Sequence, residues 1–149
     1  MNVELPEEIK PVLENGLPAW IISCSQEGIP NTTVLSEVYY VDPHHVALSF
    51  QFFTKTVRNI RENPNACLLL NDVAGASNWL LQLRYDHSET EGPLFDEMDA
   101  RLEAIASATG MAGIFKLRAA DIYRVESVEK RELRRVDDEV VAGANHPPR

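Results

Sequence analysis

The chain has few cysteines, no long apolar run and no glycine-rich nucleotide loop, and the nineteen residues from Pro43 to Arg61 contain no carboxylate. Cys24 and Cys67 are its only cysteines, each inside an apolar strand-like run, so neither a disulfide framework nor a Cys-x-x-Cys metal motif can be built from them. Two buried thiols are expected instead. The opening Met1-Asn-Val-Glu-Leu-Pro-Glu-Glu8 lacks the basic and apolar segments of a secretory signal, and no apolar run approaches membrane-spanning length. These absences lead us to expect a soluble, cytoplasmic protein. With 23 acidic against 14 basic side chains in 149 residues, the formal net charge is -9. A field of that sign repels polyanions, so neither nucleic acid nor a membrane is an expected partner.

The carboxylate-free stretch stands out against that acidic background. It reads as a strand, Val46 to Phe53, followed by a short helix, Lys55 to Asn63, which Pro64 stops because proline disfavours helical geometry in the residue before it. Lys55, Arg58 and Arg61 lie on this helix beside Thr54, Thr56 and Asn59. Free amides and the positive end of the helix dipole suit its start to a phosphate, with Lys55 and the threonines as further donors. Taken alone, the cations also fit a solvated helix face, and Thr54 and Thr56 fit simple N-caps. There is no Walker loop or Gly-x-Gly-x-x-Gly fingerprint, so phosphate binding would fall to this helix end.

Elsewhere, Pro6 to Asn15 predicts a short amphipathic helix with Gly16 at its C-cap. Ala19 to Ser25 and Asn31 to Val41 read as strands joined by a turn at Gln26 to Pro30, and Ala66 to Val73 is a further apolar run. From Asn78 to about Thr90 alternation near period two predicts a strand, and Leu94, Phe95, Met98, Leu102 and Ile105 recur at helical spacing before Gly110. Ile114 to Val125 reads as the last strand, with a break in alternation at Ala120-Asp121 that suggests a bulge. The expectation is one domain over residues 1–128 and a charged, loosely ordered tail over 129–149. About six strands without regular strand-helix alternation predict a mainly β fold, a small antiparallel barrel with flanking helices.

Gly28-Ile-Pro-Asn-Thr-Thr33 opening a strand, Lys55-Thr-Val-Arg-Asn-Ile60 followed by Glu62-Asn-Pro64, and the closing Ile114-Phe-Lys-Leu-Arg-Ala-Ala-Asp-Ile-Tyr123 together resemble the pyridoxamine 5'-phosphate oxidase-like, FMN-binding split-barrel family over roughly Leu5 to Val128. The resemblance implies a six-stranded split barrel, an FMN cofactor, oxidoreductase chemistry with an unassigned substrate, and a homodimer with the flavin phosphate and ring held at the subunit interface. It places Lys55 and Thr56 on the phosphate with Asn59 a turn further on, Ser49 and Phe50 beside the ribityl chain and ring, and Asn31, Thr32, Thr33 and Ser36 on the neighbouring strand. Trp79 and Gln82 would close the partner's site. Pyridoxamine-phosphate oxidases have an Arg-Lys pair where Lys55-Thr56 stands, and their C-terminal arginine and histidine motif has no counterpart here, so the resemblance does not extend to that substrate. A non-catalytic sensory module, deazaflavin F420 and haem are the alternative readings. A haem ligand would come from His44, His45, His87 or His146.

No catalytic residue is assigned from sequence, and no metal site is expected. His44-His45 sits at a predicted hairpin tip without a third ligand, and Asp86-His87-Ser88 cannot form a relay on a regular strand because neighbours face opposite sides.

Overall fold

A computed structural model of the protein describes residues 3–14, 19–50, 54–114 and 116–132. Gly16, Phe52, Phe53, His146 and most of the expected tail lie outside them. A 3-10 turn over Glu7–Ile9 runs into α1 (Lys10–Glu14), followed by β1 (Ala19–Cys24), β2 (Pro30–Leu35), β3 (Val38–Asp42), β4 (His45–Phe50), α2 (Thr54–Glu62), β5 (Asn65–Asp72), β6 (Ser77–Glu89), α3 (Pro93–Ala108) and β7 (Ala119–Glu132). All neighbouring strands are antiparallel, in the order β2-β1-β5-β6-β7-β4-β3. The expected class, β with flanking helices, is the observed one, with seven strands in place of six. No helix among the described residues is long and apolar enough to cross a membrane.

The seventh strand arises because the stretch Asn31 to Val41 does not run straight. It breaks at Ser36-Glu37 into β2 and β3, which stand at opposite ends of the strand order. A two-residue link spans no more than about 11 Å. The two edges of the sheet must therefore meet, and the sheet rolls into a barrel closed at this seam by the chain itself rather than by a β-ladder. At the corner the β3–β4 pairing runs on by one position, where the Ser49 amide and hydroxyl both donate to the Glu37 carbonyl, at 3.3 and 3.4 Å.

Inside the barrel, Ile21, Leu68, Leu81, Leu83 and Tyr123 form one core with Ile9, Val12 and Leu13 of the N-terminal helical segment. On the outside, Met98, Leu102 and Ala106 of α3 are buried, and the first two pack with Ala47, Ala120 and Ile122. The start of β7 is thus buried on both faces. That double burial, not a bulge at Ala120-Asp121, accounts for the lost alternation there. The bulges lie elsewhere in the β6–β7 pair, at Glu126 and at Asp86, each skipped in the pairing. Because Glu126 is extra, Val125 and Val128 both pack toward the inner core, and β7 continues to Glu132, beyond the Val125 end expected from sequence.

The Glu37 side chain is 1% exposed, and neither carboxylate oxygen finds a hydrogen-bond donor among the described residues. Its only ion pair there is a single contact with Arg101 Nε at 3.7 Å. Burial raises its pKa from 4.5 to about 7; Arg101 opposes the shift, while Asp99 and Glu97 on α3 add to it. The folded chain therefore retains a proton that the unfolded chain releases, and stability falls as pH rises from 4.5 to about 7. A shift of this size corresponds to about 3 kcal/mol. Glu37→Gln is expected to flatten the pH dependence of thermal unfolding across this window and to melt at a higher temperature than wild type above neutral pH.

Candidate functional site

Helix α2 follows β4 in the chain order and stops before Asn63-Pro64, as the proline requires. It packs against the inner side of β1 and β2, and its buried polar residues fix the approach. Asn59 is 3% exposed, and its Nδ2 donates to Ser23 Oγ at 3.1 Å. One turn earlier, the buried Thr56 Oγ1 lies 2.9 Å from Thr33 Oγ1 and accepts from Asn31 Nδ2 at 3.3 Å. Asn31 Nδ2 also reaches Thr33 Oγ1 at 3.4 Å. Asn31 and Thr33 of β2 and Thr56, more than twenty residues further along the chain, thus form one hydroxyl and amide cluster at the start of α2. Lys55 and Arg58 are exposed on the same helix.

Beside this cluster lies a cavity of about 580 Å³. Its walls are Thr56, Ile60 and Arg61 of α2, Ser49 and Phe50 of β4, and Tyr85, Ser88, Asp121 and Tyr123 of β6 and β7, with Arg118 entering from just before β7. The Arg118 amide is held to the Phe50 carbonyl at 2.8 Å. The volume falls in the range of small-molecule and cofactor sites, and the lining has the usual mixture of apolar wall and few polar groups. Burial raises the pKa of Asp121, tempered by its hydrogen bond from Ser88. The Tyr123 phenol is also pushed up, by burial first and then by the charge of Asp121.

Of the residues singled out by sequence, Ser49, Phe50 and Thr56 line the cavity, and Asn31, Thr33 and Asn59 hold its α2 wall. Thr32 alternates to the outer face of β2 and is exposed. Ser36 lies at the seam, in a small crevice with Val12 and Arg101 and outside the cavity lining. Trp79 is 2% exposed and belongs to the inner core, with Lys130 over its ring, so its side chain is enclosed by this chain. Gln82 is on the outer face, where Cys67 Sγ donates to its Oε1 at 3.0 Å. Both cysteines are half-buried on that face. His44 Nδ1 donates to the Val3 carbonyl, and His45 Nδ1 pairs with Asp42, so both belong to the hairpin tip. Among the described residues, no three His, Cys, Asp or Glu side chains gather as a metal site would require.

Tyr85, Ser88, Arg118, Asp121 and Tyr123 were not picked out as site residues by sequence. The last three lie in the closing segment, where the alternation breaks, and that break was the only available signal. Ser88 depends on the bulge at Asp86, which nothing in the local sequence announces.

The family model of pyridoxamine 5'-phosphate oxidase matches residues 5–127, and the chain belongs to that family. An uncharacterised protein of Methanocaldococcus jannaschii is 34% identical over 68 residues, covering 44% of this chain and 45% of that protein, so the match spans less than half the relative's length. Among solved structures, an FMN-binding protein from Syntrophomonas wolfei superposes with a TM-score of 0.68 at 16% identity over 87% of each chain. An F420 reductase gives 0.61 at 14% identity, over 84% of this chain and 98% of that one. The haem storage protein of Vibrio cholerae gives 0.57 at 14% identity, over 86% and 95%. At these identities the likeness is one of fold.

The Asn59–Ser23 contact joins α2 to the barrel through two buried polar groups. Asn59→Ala leaves the Ser23 hydroxyl unpaired and is expected to cost about 1–3 kcal/mol in urea-monitored unfolding, and more than Lys55→Ala.

Proposed function

We propose that this chain is an FMN-binding flavoprotein of oxidoreductase type, with the flavin phosphate at the start of α2 and the ring directed toward the adjoining cavity. The carrying observation is that the Asn31–Thr33–Thr56 cluster, the α2 N-terminus and the cavity are contiguous through Thr56. The residues fit such a group: hydroxyl, amide and cationic donors meet at one wall of the cavity, and apolar and aromatic surface forms the others. Lys55 and Thr56 would hold the phosphate, while Asn31, Thr33, Ser49 and Phe50 would border the rest of the cofactor. When bound, FMN supplies two-electron redox chemistry; the protein orients it and excludes water.

A homodimer accords with the outer face of the sheet. Val34, Trp20, Leu69 and Leu80 lie side by side across four strands on that face, with Val34 51% exposed. Thr32 and Gln82 stand in the next row, with Ile22 and Cys67 between them. A second copy of the chain would cover this apolar band and bring Thr32 and Gln82 to the interface, whereas Trp79 stays in the core.

Purified protein is expected to carry or take up FMN, giving a flavin absorbance spectrum; deazaflavin or haem spectra are the competing outcomes. Lys55→Ala should weaken FMN about tenfold, the scale of one charge-assisted contact, and unaltered affinity in fluorescence quenching would count against the phosphate placement. Val34→Glu combined with Leu69→Lys is expected to give a monomer in analytical ultracentrifugation, because both changes put charge into the apolar band.

A further inference from the structure

The Ser36-Glu37 corner separates two hollows. On one side is the large cavity, lined there by Leu35, Leu48 and Ser49. On the other is a crevice of about 10 Å³ among α1, β1, β5 and α3, in which Leu35, Ser36, Glu37 and Arg101 meet. Leu35, 3% exposed, lines both, so the corner is the partition between them. The Glu37 carbonyl ties this partition to the cavity wall, because the Ser49 amide and hydroxyl both donate to it. The Glu37 carboxylate is buried on the same residue with neither oxygen in reach of a donor among the described residues. A crevice of that size holds about one water, too little to solvate an anion.

The surroundings do not supply what water cannot. From α3 the charged groups facing Glu37 are Arg101, Asp99 and Glu97, two of them of its own sign. From β3 comes Tyr39, whose hydroxyl is bonded to Glu97. Arg101 is shared with that ring, its guanidinium carbon 5.2 Å from the centroid, and its Nε stays 3.7 Å from the carboxylate. The remaining walls, Val12 and Leu13 of α1, Ala19 of β1, Leu35 of β2 and Leu70 of β5, carry no ionisable group. The charges of α1 are spent elsewhere: Lys10 pairs with Glu7 and lies over the Tyr40 ring, and Glu14 is exposed. Glu37 is accommodated as a neutral acid. As an anion it regains solvation only by leaving the crevice, and the corner has to move for it to leave.

We propose that the Ser36-Glu37 corner is a proton-controlled gate of the barrel: with Glu37 neutral the corner stays seated and fixes Ser49 on the cavity wall, and with Glu37 ionised the corner swings out, breaks the Ser49 contacts and opens the cavity beside β4. Acid shuts the gate and base opens it. Proton linkage sets the range. The seated carboxyl keeps its proton up to about 7, the released one only up to 4.5. Between these values each pH unit favours the released form about tenfold; outside them the ratio is level. The gate works for whichever ligand the cavity takes, so its failure would leave the flavin reading untouched.

Amide hydrogen exchange of the full chain reads the gate, because the Ser49 amide must leave the Glu37 carbonyl to exchange. Ser49 protection, corrected for intrinsic exchange, is expected to fall about tenfold per pH unit from 4.5 to about 7 and then to level off. Leu81, 0% exposed in the middle of β6, exchanges through global unfolding and is the reference; Ser49 should be protected about tenfold less or lower still throughout. Glu37→Gln keeps the shape without the titrating group and should make Ser49 protection independent of pH across this window. Arg101→Gln removes the cation that favours the anion in place, so the levelling-off should move to higher pH, which tests the gate even if Glu37→Gln does not fold.

Ser49 protection that equals that of Leu81, that does not change with pH, or that keeps its slope in Glu37→Gln overturns the gate. A levelling-off point that stays in place in Arg101→Gln does the same.

Discussion

The backbone joint at Ser36-Glu37 governs the architecture. It ties the two terminal strands of a seven-stranded sheet across a two-residue gap, and no open, gently twisted sheet can satisfy that distance. Closure follows from chain connectivity, and the corner itself is held to β4 by the Ser49 contacts to the Glu37 carbonyl. Because closure does not consume the hydrogen-bonding edges of β2 and β3 in a mutual ladder, the barrel can remain parted there. The inner faces of β4, β6 and β7 then look across at α2 instead of collapsing on one another, and the cavity occupies the space between.

The two walls of that cavity are built on different physical terms. The α2 wall is a helix start docked on β1 and β2 by neutral hydroxyl and amide contacts, with cations further along the helix. It lies in a chain of net charge -9, so its attraction for an anion is local and short-ranged. The β6–β7 wall carries the phenols and a carboxylate. A ligand spanning the two would meet hydroxyl and amide groups of a helix start on one side and aromatic surface with a carboxylate on the other.

Much of the fold was legible in the sequence because its signals are local. Alternation at Trp79, Leu81 and Leu83 marked β6, the Asn63-Pro64 stop marked the end of α2, and helical spacing at Met98 and Leu102 marked α3. The misreadings share a cause in tertiary context. Asn31 to Val41 has uninterrupted strand character, and nothing near Glu37 states that its carboxylate will be buried at a corner. The charged residues after Val128 looked like tail because only one face of that strand end is covered, and the Glu126 bulge disguises the remaining period. Around the cavity, Lys55 and Thr56 were accessible to a local reading of charge and helix ends, and Ser49 only through the family resemblance. Asp121 and Ser88 were not, since their meeting depends on pairing between strands thirty-three residues apart.

The bulges at Asp86 and Glu126 lie on opposite strands of one antiparallel pair, so the offset that each introduces is cancelled by the other. Only the short segment between them, Leu83 to Tyr85 against Tyr123 to Val125, runs out of step with the rest. Each extra residue stands outside the pairing, so the loss of either would leave Ser88 opposite Asp121 and Leu83 opposite Val125. What such a loss would remove is the local twist, and with it the angle at which the cavity-facing pairs meet. For any lineage that alters these strands, the two bulges are the places where length can change while the facing of the cavity wall is kept.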